Sequence, residues 1–147
     1  METSARRDVY KELKEAPNLD FFYLKGSVDT PEVLLDLNDN GCLIKLSGRS
    51  LPEDSRNFYS PIMDWLIKYS NSELINTKII FQFEYINSSS SKLLLELLDL
   101  IRQIFSKGKE DLLFIEWRYL EDDDDMLEAG QDFEDRVGIK FKYIAYW

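Results

Sequence analysis

The sequence predicts an α/β protein: a two-layer sandwich in which a mixed β-sheet, opened by a hairpin, carries its helices mainly on one face. Three observations lead there. After residue 50, segments of strand-like alternation are separated by segments of helical periodicity, and strands joined through helices need crossovers and so pair at least partly in parallel. Upstream, two alternating runs enclose Asn38-Asp39-Asn40-Gly41, the composition of a tight antiparallel turn. The strands also alternate apolar with charged residues, whereas strands covered by helices on both faces read as continuous apolar runs.

The first seventeen residues are polar, with a weak helical spacing at Val9, Leu13 and Ala16. They are expected to form a separate N-terminal segment or short helix, with one domain over residues 18–147. Phe21-Phe22-Tyr23-Leu24 makes a first short strand before Gly26. The hairpin follows, with Val33, Leu35 and Leu37 on one face of its first strand and Cys42, Ile44 and Leu46 on one face of its second. Ser50-Leu51-Pro52-Glu53 has the spacing of a capping box, which would start the first helix there. That helix places Phe58, Ile62, Trp65, Leu66 and Tyr69 on one face, and Pro61 inside it removes a donor and predicts a kink.

Lys78 to Ile86 alternates again, with Ile79, Phe81, Phe83 and Tyr85 opposite Lys78, Gln82 and Glu84. Leu112 to Tyr119 repeats the design. Between these strands Ser88 to Lys107 forms a long helix closed by Gly108, and a third helix from about Asp124 to Val137 precedes a last strand, Lys140 to Tyr146.

Bulk composition narrows the chemistry. A net charge of −10 opposes binding to nucleic-acid backbones and to anionic membranes. No run approaches the ~18–20 apolar residues of a membrane span, and the N-terminus lacks a signal-peptide pattern, so a cytoplasmic location is expected. There is no histidine and only one cysteine, Cys42, which removes the commonest general base, the commonest metal ligand and any intrachain disulfide. No cofactor and no transition-metal site is expected. Cys42 reads as a small core residue, because no histidine can activate it. Thr30-Pro31 reads as a turn into a strand.

The most informative stretch is Tyr85-Ile86-Asn87-Ser88-Ser89-Ser90-Ser91-Lys92, where a strand gives way to a helix. Asparagine and serine are favoured N-caps, so one residue here serves that end. The same place suits a phosphoryl group, since a helix N-terminus offers unpaired N–H groups and a positive dipole end. The acidic run Glu121-Asp122-Asp123-Asp124-Asp125 supplies hard oxygen ligands of the kind magnesium or calcium takes. It lacks the glycine and distal glutamate of a calcium loop, and acidic residues in a first helical turn complement the dipole. On the second helix Leu94, Leu97, Leu98, Ile101 and Phe105 form the core stripe, and Leu93, Leu100 and Ile104 at its margin are candidate partner-binding residues.

Four blocks in order, Gly26 to Val33, Ser47 to Asp54, Tyr85 to Lys92 and Asp125 to Phe133, resemble the successive motifs of the SiaC family of bacterial regulatory phosphoproteins. The resemblance implies a STAS-like fold and a non-enzymatic, partner-switching role. In that family the residue after the asparagine at this strand-to-helix junction, usually threonine, is phosphorylated by a dedicated kinase and dephosphorylated by a PP2C-type phosphatase. Ser88 occupies that position, flanked by Tyr85, Asn87, Ser89, Ser90, Ser91 and Lys92. The unphosphorylated form is implied to bind and activate a diguanylate cyclase, and so to act in cyclic-di-GMP signalling and biofilm regulation. A STAS-like anti-sigma factor antagonist, which would share the fold and the serine switch, is the alternative.

Overall fold

The computed structural model describes residues 21–147; the polar segment 1–17 lies outside them. In chain order the elements are β1 (Phe21–Leu24), β2 (Glu32–Asn38), β3 (Gly41–Ser50), α1 (Ser55–Ser70), β4 (Thr77–Ile86), α2 (Ser88–Ile104), β5 (Leu113–Leu120), α3 (Asp124–Val137) and β6 (Phe141–Tyr146). All six strands join one sheet in the order of the sequence, β1-β2-β3-β4-β5-β6. The first three are antiparallel neighbours, and β3 through β6 are parallel.

That order explains the one-sided architecture. Each of the three parallel steps moves to the next position in the same direction, and crossovers of this kind are right-handed, so all three helices fall on the same face. Two rows of apolar side chains then cross the sheet beneath them. Leu35, Ile44, Ile79, Ile115 and Phe141 are successive register partners, as are Val33, Leu46, Phe81, Trp117 and Tyr143. On the opposite face the matching row reads Tyr23, Leu34, Lys45, Ile80, Glu116 and Lys142. There Glu116, nine-tenths buried, receives Lys78 at 3.0 Å and Arg118 at 2.8 Å.

The hairpin turn is Asp39-Asn40, with Asn38 paired to Gly41 and the Asn38 side chain accepting the Asn40 N–H at 2.8 Å. The first helix departs from the expected start. Its N-cap is Asp54, whose side chain accepts from Asn57 N–H at 3.1 Å, whereas Ser50 is the last residue of β3 and completely buried. The capping-box spacing is real, but Ser50 is held by the sheet: it pairs with Ile86, and its carbonyl accepts the Asn87 N–H at 3.0 Å. The helix runs through Pro61 to Ser70 and buries Ile62, Trp65, Leu66 and Tyr69 as the periodicity predicts, together with Tyr59. Helix α2 ends at Ile104, earlier than expected, because the chain passes into left-handed conformation at Lys107 and Gly108.

Trp117 is the centre of the core under α3. It lies within 6.2 Å, centroid to centroid, of Phe81, Phe83, Phe133 and Phe141, and its indole N–H donates to the Met126 carbonyl at 2.9 Å. Gly130 faces the ring so closely that a Cβ there would stand 2.6 Å from it. The absent side chain therefore sets how deeply α3 sits.

Candidate functional site

The carboxyl ends of β3 and β4 converge on the first turn of α2, and the local sequence dictates why the helix starts there. Asn87 is extended, and its side-chain oxygen accepts the Ser90 N–H at 2.8 Å, the usual work of an N-cap. Ser88 is therefore the first helical residue. The four serines then fan round one turn at ~100° steps, and each meets a different environment.

Ser90 points inward and is completely buried. The Tyr59 and Ser50 hydroxyls are joined, Ser50 donates to Ser90 Oγ at 2.8 Å, and Ser90 donates to the Ser50 carbonyl at 3.0 Å. This network ties the end of β3, helix α1 and helix α2 together, and burial pushes the Tyr59 phenol far above its ordinary value against the opposing hydrogen bonds. Ser89 is exposed, but its hydroxyl meets Ser55 Oγ at 2.6 Å on the first turn of α1. Ser91 is half-buried. Ser88 is exposed, and its hydroxyl makes no hydrogen bond to any of the described residues. A group added to Ser88 displaces nothing.

Two recesses flank this turn. On one side a groove of about 580 Å³ lies between the starts of α1 and α2, lined by Asp54, Ser55, Arg56, Ser89 and Leu93 among others. On the other a crevice of about 550 Å³ separates α2 from α3. Its apolar lining comes from Ile86, Leu95, Met126, Ala129 and Phe133, and its polar lining from Glu84, Lys92, Asp123, Asp125, Asp132 and Arg136.

Tyr85 does not lie on the core face as the alternation predicts. The β3–β4 register shifts between Gly48 and Arg49, so that Gly48 opposes Phe83 and Arg49 opposes Tyr85, leaving Glu84 over. One unmatched residue turns the following side chains to the other face. Tyr85 is 46% exposed with the Arg49 guanidinium 5.5 Å above its ring, and Ile86 packs on the core instead. Gly48, at φ +102°, supplies the backbone conformation at the shift. Arg49 Nε also donates to the Val28 carbonyl at 3.0 Å, which fixes the loop before β2 against this rim.

Of the residues expected to bind a partner, Leu93 is only 6% exposed, and it reaches the surface as part of the groove beside Ser89. Leu100 and Ile104 are half-buried on the helix margin, packed against the core. The core stripe Leu94, Leu97, Leu98, Ile101 and Phe105 is buried as predicted. In the acidic run, Asp123 is the N-cap of α3, accepting the Met126 N–H at 3.0 Å, and Asp124 and Asp125 are exposed in its first turn. Cys42 is buried, and desolvation with Asp36 nearby pushes its thiol up to about 12. Thr30 sits in a turn closed by its carbonyl and N–H on Ser27, directly before β2.

Residues 24–146 match the family described as SiaC family regulatory phosphoprotein. The chain belongs to that family. An uncharacterized protein of Pseudomonas aeruginosa is 21% identical over 124 residues, covering 84% of this chain and 95% of the relative. In fold the chain is similar to a chain in the crystal structure of the diguanylate cyclase SiaD in complex with its activator SiaC, from the same species. The TM-score is 0.76 at 22% identity, covering 85% of this chain and 99% of that one. Apo-SiaC of P. aeruginosa gives 0.71 at 20% identity, over 86% and 99% of the two chains. These solved structures share the mixed α/β sandwich.

Three contributors to the site escape sequence reasoning. Ser50 and Tyr59 lie 40 and 31 positions before Ser90, and no local pattern joins them. Arg49 belongs to the site only because of the register shift.

Proposed function

We propose that this family member is a non-enzymatic cytoplasmic partner switch: unmodified, it binds and activates a diguanylate cyclase, and phosphorylation of Ser88 releases the cyclase. A Ser/Thr kinase and a PP2C-type phosphatase set the state. The observation that carries the reading is the separation of hydroxyls in the first turn of α2. Ser88 is exposed and uncommitted, whereas Ser90 is sealed in the core. The complex of SiaC with the cyclase it activates supports the choice of partner.

A phosphate at Ser88 adds about two negative charges at pH 7. The free N–H groups of the first turn favour it there, so the domain keeps its fold. A partner surface that covers the turn must then desolvate the new charge, which costs several kcal/mol unless the partner supplies a matching cation. The candidate contact surface includes the groove edge at Leu93 and the helix margin at Leu100 and Ile104.

The test compares Ser88→Ala with Ser88→Asp in pull-downs from native cells, together with mass spectrometry of the kinase-treated protein. Ser88→Ala should hold the cyclase constitutively, Ser88→Asp should lose it, and the phosphate should map to Ser88. Full-stoichiometry phosphorylation of Ser88→Ala would refute the assignment. Recovery of an anti-sigma factor kinase in place of a cyclase would favour the anti-sigma factor antagonist alternative.

A further inference from the structure

We propose that Lys92 is the positioning residue for the phosphate on Ser88, and that phosphorylation thereby draws this lysine away from the lip of the α2–α3 crevice. The proposal rests on the reading of Ser88 as the modified residue. Lys92 lies four positions after Ser88 on the same helix, a spacing that places the two side chains one above the other. It is exposed, lines the crevice, and makes no ion pair with any of the described residues.

The other described cations near the junction have partners of their own. Arg49 lies over Tyr85 and donates to Val28, Arg56 holds Glu96 through two bonds of 2.8 Å, and Arg136 pairs with Asp132 at 3.0 Å. The remaining charged groups at this crevice, Glu84, Asp123 and Asp125, repel a phosphate. Among the described residues lining the crevice, Lys92 is thus the cation without an ion pair that stands one helical turn from Ser88. Once it meets the phosphate, the crevice lip keeps its carboxylates and loses the positive charge that, among the described residues lining it, has no ion pair. The effect of phosphorylation therefore reaches past the modified turn, to a surface about one helical turn along α2.

The experiment installs phosphoserine at position 88 during translation, so that no kinase is required, in the wild-type, Lys92→Met and Lys92→Arg backgrounds. Phosphorus NMR titration reads the second pKa of the phosphate in each. A cation one turn away favours the dianion, so Lys92→Met should raise that pKa by about 0.3, the equivalent of an i,i+4 pair, and Lys92→Arg should restore it. Without phosphate, all three proteins should unfold at the same urea concentration, which separates positioning from a structural role. An unchanged pKa in Lys92→Met, or failure of Lys92→Arg to restore it, would overturn the proposal. Retention of the cyclase by the phosphoserine protein would instead refute the Ser88 switch, while leaving the pKa result standing.

Discussion

Substituting Gly130 by alanine should destabilise the protein, although the same change in an exposed helix interior stabilises by ~1 kcal/mol through propensity. The sign is decided by one contact. A Cβ at residue 130 would lie 2.6 Å from Trp117 Cδ1 and Nε1 and 2.8 Å from Cε2, against an ordinary carbon contact of roughly 3.5–4.0 Å. The ring has no room to yield, because Phe141 is stacked on it at 6.0 Å and 12°, and Phe81, Phe83 and Phe133 surround it. Relief must come from α3 moving outward by about 1 Å, a distance that stretches the Trp117–Met126 hydrogen bond as well. Overpacking of this kind costs ~1–3 kcal/mol, and the lost bond about another 1 kcal/mol. After the propensity gain, a net loss of about 1–3 kcal/mol is expected. Urea unfolding followed by far-ultraviolet circular dichroism measures it without depending on the tryptophan. In a double-mutant cycle with Trp117→Phe, the two changes should couple by ~1 kcal/mol or more, since the smaller ring leaves space for the methyl. A Gly130→Ala protein as stable as the wild type, or strictly additive energies, would show that α3 is not seated on Trp117 as described.

Other perturbations test the rest of the argument. Burial alone would raise the Glu116 carboxyl, but hydrogen bonds from Lys78 and Arg118 outweigh it and hold the group below the usual carboxylate range. Its stabilising contribution is therefore present at neutral pH and disappears as pH falls through the lowered value, so the deficit of Glu116→Gln, about 1 kcal/mol at pH 7, should begin to shrink as pH drops past the ordinary carboxylate value and close below the lowered one. Thermal unfolding across that range measures it, and a constant deficit would disprove the assignment. Ser90→Ala should cost ~1–2 kcal/mol, since it leaves the buried Ser50 hydroxyl without its acceptor, whereas Ser88→Ala should cost less than ~0.5 kcal/mol as an exposed change; urea midpoints of the two variants decide. Cys42, with its thiol at about 12 and its side chain buried, should react with iodoacetamide at pH 8 only after unfolding. Rapid labelling of the native protein, seen by intact mass, would contradict this.

The architecture was legible wherever one face of an element meets one environment. Ile79, Phe81 and Phe83, or Leu94, Leu97 and Leu98, repeat at the period of their element because the same core lies over each of them. The one-sided helical layer could be read from the charged and polar residues Lys78, Gln82 and Arg118, which only a solvated second face tolerates. What failed were the places where a contact distant in sequence overrides a local rule. Ser50 has the spacing of a cap, yet the Tyr59–Ser90 network takes its side chain and β4 takes its backbone. Tyr85 has the alternation of a core residue, yet the slip opposite Gly48 turns it outward. Neither partner lies within a local window of the residue it redirects.

The serine run shows why such long-range contacts matter for the switch proposed above. Four identical side chains in a row look redundant, but the helix distributes them to four surroundings: Ser89 and Ser90 are tied to other elements, Ser91 is half-buried, and Ser88 is exposed with no hydrogen bond from its hydroxyl to the described residues. If the modified hydroxyl were also the one that joins α1 to α2, adding charge would remove a buried hydrogen bond and loosen the core, at ~1–3 kcal/mol for the group left unsatisfied. Because Ser90 holds that bond and Ser88 does not, charge at Ser88 changes the surface while the sheet and helices beneath it stay fixed. In the proposed switch, binding then responds to modification with little change in stability, and a rigid scaffold is what would allow about two added charges to be read by a partner as a change of surface instead of a loss of fold.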